Sequence, residues 1–342
     1  MSLAFCPKGD PFLSNRKIVL TGGTGFIMSY VAERYADLDD EVVLLDNNEQ
    51  HHMPKYVVDL LSRKKNVSFV QGDVRDKDAV ERVMKDAEIV YHFAALMGTS
   101  SRFKQEVRTT EINVIGTLHA CQAALDAGVK YFVYPPRPMQ TGWLTPYIIT
   151  KTASTQFAQM FHDVYGLRTV GLNIANVYGP RERPVLEANP LKPGEGRKMM
   201  ATFVEAALKN EPIPVMGDGE QSSDFVFIED VVDACIMAPN ELAIGHIIEI
   251  GTGINTSVKR VAELVIELTG SKSTIQFRPM RTGEIKIHTK SDTTVAKTLL
   301  NWESKTTLIE GLKKTIPWYA RELGLKLPVA KRSAHEPDIR PR

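Results

Sequence analysis

Thr21-Gly22-Gly23-Thr24-Gly25-Phe26-Ile27 is the stretch that decides how this chain folds. The run Lys17-Ile18-Val19-Leu20 before it reads as a strand, and the amphipathic stretch Ile27 to Ala36 after it reads as a helix. Gly22 and Gly25 let the backbone turn tightly between them. They also let a pyrophosphate approach the amides of Phe26 and Ile27 at the helix N-terminus, where the dipole favours an anion. The glycine pattern alone is weak; its place between a strand and a helix gives it weight.

Working outward, Glu41-Val42-Val43-Leu44-Leu45-Asp46 is a second strand, and its last residue stands 24 positions after Gly22. A carboxylate there accepts hydrogen bonds from a ribose 2′-hydroxyl and repels a 2′-phosphate, so NAD is expected rather than NADP. Asp46-Asn47-Asn48 is also good chemistry for a plain solvated turn. Val67 to Val70 is a third strand. Asp73 and Val74 follow it, and Asp73 is placed either to meet an adenine edge or to cap the helix Lys77 to Lys85. Ile89 to Phe93 is a fourth strand that leaves through the small residues Ala94 and Ala95, which permit close approach of a cofactor or simply pack well. A long helix, Thr110 to Ala127, and a fifth strand, Tyr131 to Tyr134, complete the pattern. Apolar strands alternating with helices predict an α/β fold with a parallel sheet covered on both faces.

The rhythm changes after residue 180. Pro184, Pro190, Pro193, Gly194 and Gly196 mark a long loop, and helices over Lys198 to Lys209, Ser257 to Leu268 and Leu308 to Leu323 mix with short strands. The expected organisation is a nucleotide-binding domain over 1–180, a smaller α/β substrate lobe over 181–330 and a disordered tail over 331–342. The strand near Arg168 to Ile174 and the helix Asp230 to Met237 should return to the first sheet.

Composition bounds the function. Lys and Arg number 42 against 41 Asp and Glu, with no long basic run, so no nucleic-acid footprint is visible. No apolar run reaches the roughly 20 residues that span a bilayer. Cys6, Cys121 and Cys235 lie far apart, form no metal-ligand spacing and suit a reducing compartment. Met1 to Arg16 lacks a signal-peptide layout, so a cytoplasmic protein is expected.

Tyr147 and Lys151 stand four apart, behind Pro146, a good first-turn residue. That spacing puts both on one helix face. A Lys ammonium near a phenol favours phenolate, so Tyr147 can exchange a proton with a hydroxyl near neutral pH. Such pairs are common by chance; following the fifth strand of a nucleotide-binding sheet raises the weight of this one.

Taken in order, Thr21 to Ile27, Asp46, Asp73, His92-Phe93-Ala94-Ala95, Asn113-Val114-Ile115-Gly116-Thr117 and Tyr147-x-x-x-Lys151 resemble the extended short-chain dehydrogenase/reductases of the nucleotide-sugar epimerase/dehydratase group. The likeness continues through Asn176-Val177-Tyr178-Gly179-Pro180-Arg181, Gly217 to Gln221, Asp224 to Asp230, Gly251-Thr252-Gly253 and Arg281-Thr282-Gly283-Glu284, covering roughly residues 16 to 321. The resemblance implies a Rossmann-type doubly wound sheet and a C-terminal lobe that clamps a nucleoside-diphosphate sugar. It implies bound NAD, transient oxidation of a sugar hydroxyl, usually at C4, and return of the hydride. Tyr147 is then the base, and Lys151 tunes it and binds the nicotinamide ribose. Met97 and Asn176 contact substrate, and Arg281 grips the diphosphate. A homodimer is implied too, with Val107 to Ala127 and Ala153 to Tyr165 as its interface.

Four departures bear on the reaction. Met28 replaces the third glycine of the turn, and a small helix shift is expected. Arg137 stands where the catalytic Ser or Thr belongs, which leaves Thr141 as the one hydroxyl between Tyr134 and Thr145 able to substitute. Pro138 and Met139 occupy the acid positions of the dehydratases and decarboxylases, so epimerisation, which needs neither acid, is the expected reaction. Ser223 replaces an Arg before Asp224-Phe225. The alternatives are another sugar-modifying enzyme, a dehydratase or a reductase consuming external NADH, and a nucleotide-binding homologue with impaired catalysis.

Overall fold

The short apolar runs build strands β1 (Lys17–Thr21), β2 (Glu41–Asp46), β3 (Val67–Gln71), β4 (Ile89–His92), β5 (Tyr131–Tyr134) and β6 (Thr169–Ile174). The chain continues with β7 (Asn176–Tyr178), β8 (Ile213–Met216), β9 (Ser222–Phe227), β10 (Ile247–Ile250), β11 (Asn255–Ser257) and β12 (Ile275–Arg278). The computed structural model describes residues 15–49, 53–98, 100–137, 144–182, 198–281 and 283–325. Thr141, Pro138, Met139, Thr282, Cys6, the loop residues Pro184, Pro190, Pro193, Gly194 and Gly196, and the tail 331–342 lie outside the described residues.

Seven strands form one sheet in the order β10-β6-β5-β4-β1-β2-β3. Every pairing in it is parallel, so this is the Rossmann-type arrangement. The strand order reverses between β1 and β4, and ligands bind at such a switch point, beyond the carboxyl ends of the strands. Helices cover both faces: α1 (Phe26–Asp37), α2 (Lys55–Arg63), α3 (Lys77–Met84), α4 (Glu106–Thr110), α5 (Gly116–Asp126) and α6 (Pro146–Tyr165). Later come α7 (Met199–Leu208), α8 (Ile228–Met237), α9 (Val258–Thr269), α10 (Thr294–Leu300) and α11 (Leu308–Glu322).

Side chains alternate across the strands as the pleat requires. Ile18, Leu20, Val42 and Leu44 pack toward α1, α2 and α8, and that core runs on into α7, α9 and α11. Val19, Val43 and Leu45 pack toward α3, α5 and α6. Strand β6 returns to the sheet, and α8 returns to its first face, where Tyr91 donates to the Cys235 carbonyl at 2.7 Å and Arg34 pairs with Asp233 at 3.1 Å. The edge strand β10 comes from Ile247–Ile250, far along the chain. Two small sheets stand apart, β11-β9-β7 and β12-β8.

The helix read from Thr110 to Ala127 differs in the structure. It starts at Glu106, passes through a π-helical turn, Glu111–Ile115, and resumes at Gly116. Two contacts hold the irregular turn. Asn113 points inward, and Gly116 sits so close to Val74 that a Cβ would lie 2.5 Å from Val74 Cγ2. Met28 is 1% exposed and fills the core under α1. The tightest contact of the turn with its strands lies at Gly23, where a Cβ would stand 2.8 Å from both the Leu20 carbonyl and Leu44 Cβ.

Candidate active site

The glycine turn sits at the switch point. Gly22 and Gly23 donate to the Leu45 carbonyl at 2.9 and 3.3 Å, and Gly25 donates to the Gly22 carbonyl at 3.0 Å. Gly22 has φ 68°, and a Cβ there would stand 2.9 Å from the Ala94 amide. Strand β1 thus approaches the exit of β4 closely enough that glycine is required. Helix α1 begins after Gly25 with no side-chain cap and no acidic residue in its first turn. Its first amides face the place where a pyrophosphate would lie. The cradle therefore fits a dinucleotide.

Asp46 closes β2 beside the turn: Oδ2 accepts from the Thr24 amide at 3.1 Å and Oδ1 from the Asn48 amide at 2.9 Å. Thr24 also donates to the Asn48 side chain at 2.9 Å. Asn47 donates to Asp73 at 2.8 Å, which joins the ends of β2 and β3. Asp73 does not cap the next helix; Asp76 does, accepting from the Ala79 amide at 3.1 Å. Burial alone would raise the Asp73 carboxyl, but hydrogen bonds from Arg75 and Asn47 outweigh it and hold it at about 2. The chain exits β4 with the Ala94 amide donating to Thr21 Oγ1 at 3.2 Å.

Behind that exit lies a buried polar network. His92 bonds Thr21 Oγ1 through Nδ1 at 2.9 Å and Thr117 Oγ1 through Nε2 at 3.0 Å. Burial, with the Lys151 charge added, pushes the imidazole down to about 3, so His92 is neutral. Asn113, in the π-helical turn, accepts from the Leu96 amide at 2.7 Å and donates to Thr150 Oγ1 at 3.1 Å. It ties the loop after β4 to the turn of α6 that carries Lys151. A π-turn at a functional site is a recurring device.

Helix α6 is capped as its sequence suggests, with Thr145 Oγ1 accepting from the Ile148 amide at 3.2 Å, Pro146 in the first turn and left-handed Gly166 at the end. Tyr147 is half-buried, and Lys151, one turn on, is 6% exposed. Burial raises the Tyr147 phenol above its ordinary value, and the charge opposing burial is that of Arg137. Burial, again with Arg137, lowers the Lys151 ammonium to about 8. In the sequence Arg137 stands out only as a departure from the family pattern. No spacing rule could find its role, because the contact joins the exit of β5 to α6. The Arg137 amide donates to Thr155 Oγ1 at 2.8 Å, and Thr155 Oγ1 donates to the Lys151 carbonyl at 2.8 Å.

On the substrate side, the Met97 carbonyl accepts from Arg102 Nε at 2.6 Å. The next residue, Phe103, packs on Gly283, where a Cβ would lie 2.7 Å from Phe103 Cζ. The Met97 loop and the Arg281 segment therefore meet. Arg281 forms a two-pronged ion pair with Glu284 at 2.8 and 2.7 Å. Asn176 is exposed at the start of β7, opposite Phe225. Asp224 is buried and gathers the amides of Thr252, Gly253 and Ser291 at 2.8 to 3.3 Å, which explains why the Asp224-Phe225 and Gly251-Thr252-Gly253 stretches occur together.

A glycine turn at the switch point of a parallel sheet, with Tyr and Lys one turn apart after its fifth strand, defines a dinucleotide-dependent enzyme of the short-chain dehydrogenase/reductase type. Residues 18–251 match the NAD dependent epimerase/dehydratase family, and the chain belongs to it. The protein is 28% identical over 319 residues to a UDP-glucose 4-epimerase of Mycolicibacterium smegmatis, covering 89% of this chain and 98% of that one. The structure of UDP-glucose 4-epimerase from Thermotoga maritima with UDP-glucose is similar, with TM-score 0.78 and 29% identity over 90% of this chain and 99% of that one. An epimerase structure from Methanothermobacter thermautotrophicus has TM-score 0.81 and 26% identity over 91% and 94% of the two chains.

Proposed function

We propose that the protein is an NAD-dependent epimerase that inverts a hydroxyl-bearing carbon, C4, of a nucleoside-diphosphate sugar. The observation that carries this reading is the Tyr147–Lys151 pair on one face of α6, beside a glycine cradle fitted to a dinucleotide. Gly22, Gly25, Phe26 and Ile27 would hold the pyrophosphate, and Asp46 with Asn47 the adenosine ribose. Asp73 and Val74 would flank the adenine, and Ala94 and Ala95 would line the path toward Lys151. The chemistry that bound NAD supplies is the acceptance and return of a hydride. Tyr147 takes the hydroxyl proton and later gives one back. Lys151, buried and close to its titration point, would bind the nicotinamide ribose and, by the family likeness, tune the phenol one turn before it. Met97 would contact substrate, Asn176 the sugar diphosphate, and Arg281, paired with Glu284, would grip the diphosphate.

The reading extends to the assembly and its compartment. Ile149, Phe157 and Val164 recur at helical spacing on α6 and are 52%, 36% and 65% exposed, while Val107 on α4 is 74% exposed. An apolar stripe of this kind favours a homodimer in which α4 to α6 of two subunits pack together. Among the described residues no helix is long and apolar enough to cross a membrane. Cys121 and Cys235 are buried free thiols, which suits the cytoplasm.

The test is nuclear magnetic resonance of UDP-glucose and related nucleoside-diphosphate hexoses incubated with the protein, without added cofactor. Inversion at C4 is expected, and Tyr147→Phe should slow it by about 10²- to 10⁴-fold. Stoichiometric consumption of added NADH, with no inversion, would instead identify a reductase.

A further inference from the structure

Arg137 follows β5, at the carboxyl edge of the sheet where the other ligand-binding groups stand. Pro135 and Pro136 fix the approach. Pro136 is buried against β6, where a Cβ on Gly171 would stand 3.1 Å from Pro136 Cγ. The Arg137 amide is fastened to Thr155, one turn beyond Lys151 on α6. Its side chain is half-buried, and Nε is shielded from solvent. It lies close enough to act on both Tyr147 and Lys151, and His92, behind them on β4, is neutral. Among the described residues, the charge that acts on the phenol is that of Arg137.

A hydroxyl that loses its proton to Tyr147 while its carbon is oxidised develops negative charge on oxygen. A fixed donor aimed at that oxygen lowers the barrier, and more so when it carries charge in a site shielded from water. A guanidinium can donate but cannot take up the proton. It can therefore fill the donor's place and leaves Tyr147 as the proton acceptor.

We propose that Arg137 is a catalytic residue whose guanidinium donates a hydrogen bond to the sugar oxygen that Tyr147 deprotonates, doing with a charged donor what a hydroxyl side chain would do with a neutral one. This rests on the epimerase reading above. No bond to Arg137 forms or breaks. The oxygen's proton goes to Tyr147 and returns from it, and Arg137 stays protonated throughout.

The test compares wild type, Arg137→Met and Arg137→Lys as full-length protein, first confirmed to be folded by circular dichroism. Arg137→Met should lower kcat for C4 inversion by about 10²- to 10³-fold and change KM by less than about threefold. Arg137→Lys should recover at least about a tenth of the wild-type rate, because a cationic donor is restored. A second readout needs no turnover. The tyrosinate absorbance of each protein, minus that of its Tyr147→Phe counterpart, reports the titration of Tyr147. It should move up by about one pH unit in Arg137→Met and stay near the wild-type position in Arg137→Lys. If Arg137→Met keeps kcat within about threefold of an active wild type, or leaves the Tyr147 titration in place, the proposal is overturned and the epimerase reading stands. If wild type inverts no nucleoside-diphosphate sugar, the epimerase reading falls and the proposal falls with it.

Discussion

Replacing Lys151 by Met should make the nucleotide-free protein more stable at neutral pH while destroying its activity. Lys151 is 6% exposed, and burial with the nearby Arg137 charge lowers it from an ordinary 10.5 to about 8. A lysine whose folded value is depressed opposes folding wherever it must be carried charged. Below pH 8 both folded and unfolded chains hold the proton, and the fold bears the full penalty. At about 1.4 kcal/mol for each tenfold change in proton affinity, the gap between the two values amounts to about 3 kcal/mol. As pH rises from 8 to 10.5 the folded lysine gives up its proton first, and the penalty disappears. Methionine keeps most of the apolar stem and removes the charge. Urea unfolding of both proteins, freed of nucleotide, at intervals from pH 6.5 to 10.5 measures the difference. The variant should be more stable by up to about 3 kcal/mol at pH 7, and the gap should shrink steadily above pH 8. A stability difference that stays constant across this range would refute the buried, strained ammonium. Groups that Lys151 does not touch cancel between the two proteins, and His92, held down mainly by burial, does not titrate in this range, so the slope belongs to Lys151.

Three further outcomes follow from the geometry. Gly22→Ala places a Cβ 2.9 Å from the Ala94 amide at φ 68°, so calorimetry should show a loss of about 1–3 kcal/mol or more and NAD binding weakened at least about tenfold. Asp73→Asn should cost about 1–2 kcal/mol at pH 7 after allowance for its partial exposure. The Asp73 carboxyl is depressed in the fold to about 2 against an ordinary 3.8, so its contribution is complete above pH 4 and lost as pH falls toward 2, and acid unfolding curves should converge there. Ile149→Asp combined with Val164→Asp puts two charges on the exposed apolar face of α6; sedimentation should then show monomer where wild type sediments as a dimer.

Much of the N-terminal half was legible because its signals are local. Continuous apolar runs mark β1 to β5, and the glycines between β1 and α1 have one good structural use. The Thr145-Pro146 start of α6 is equally local, since a capping hydroxyl and a first-turn proline act within a few residues. Where the reading stopped short, the cause lies in tertiary contacts. The π-helical turn exists because Asn113 reaches Leu96 and Thr150, partners 17 and 37 positions away. Strand β10 is a four-residue run whose place beside β6 depends on the whole chain between them. Met28 departs from the glycine pattern, yet it fills the core while Gly23 provides the close approach. Thr141, the hydroxyl expected to serve catalysis, lies outside the described residues; the charged neighbour of Tyr147 that the structure does describe is Arg137.

The charges around Tyr147 bear on which reaction the site can run. Eliminating water from a sugar requires an acid to protonate the departing hydroxyl and a base to remove a carbon-bound proton. At the positions where the sequence likeness would place those carboxyl groups, this chain has Pro138 and Met139, which do neither. Arg137 and Lys151 are basic side chains, and His92 is held neutral by burial and engaged on both nitrogens by threonines. Among the described residues, such a set suits the stabilising of oxygen as its proton leaves to a phenol and comes back. Inversion asks for nothing else from the protein's titrating groups, because the same phenol and the same donors serve the outward and return steps. Burial, with the Arg137 charge added to it, makes Lys151 costly to the fold, and the same two basic groups suit the site to reversible oxidation of a hydroxyl.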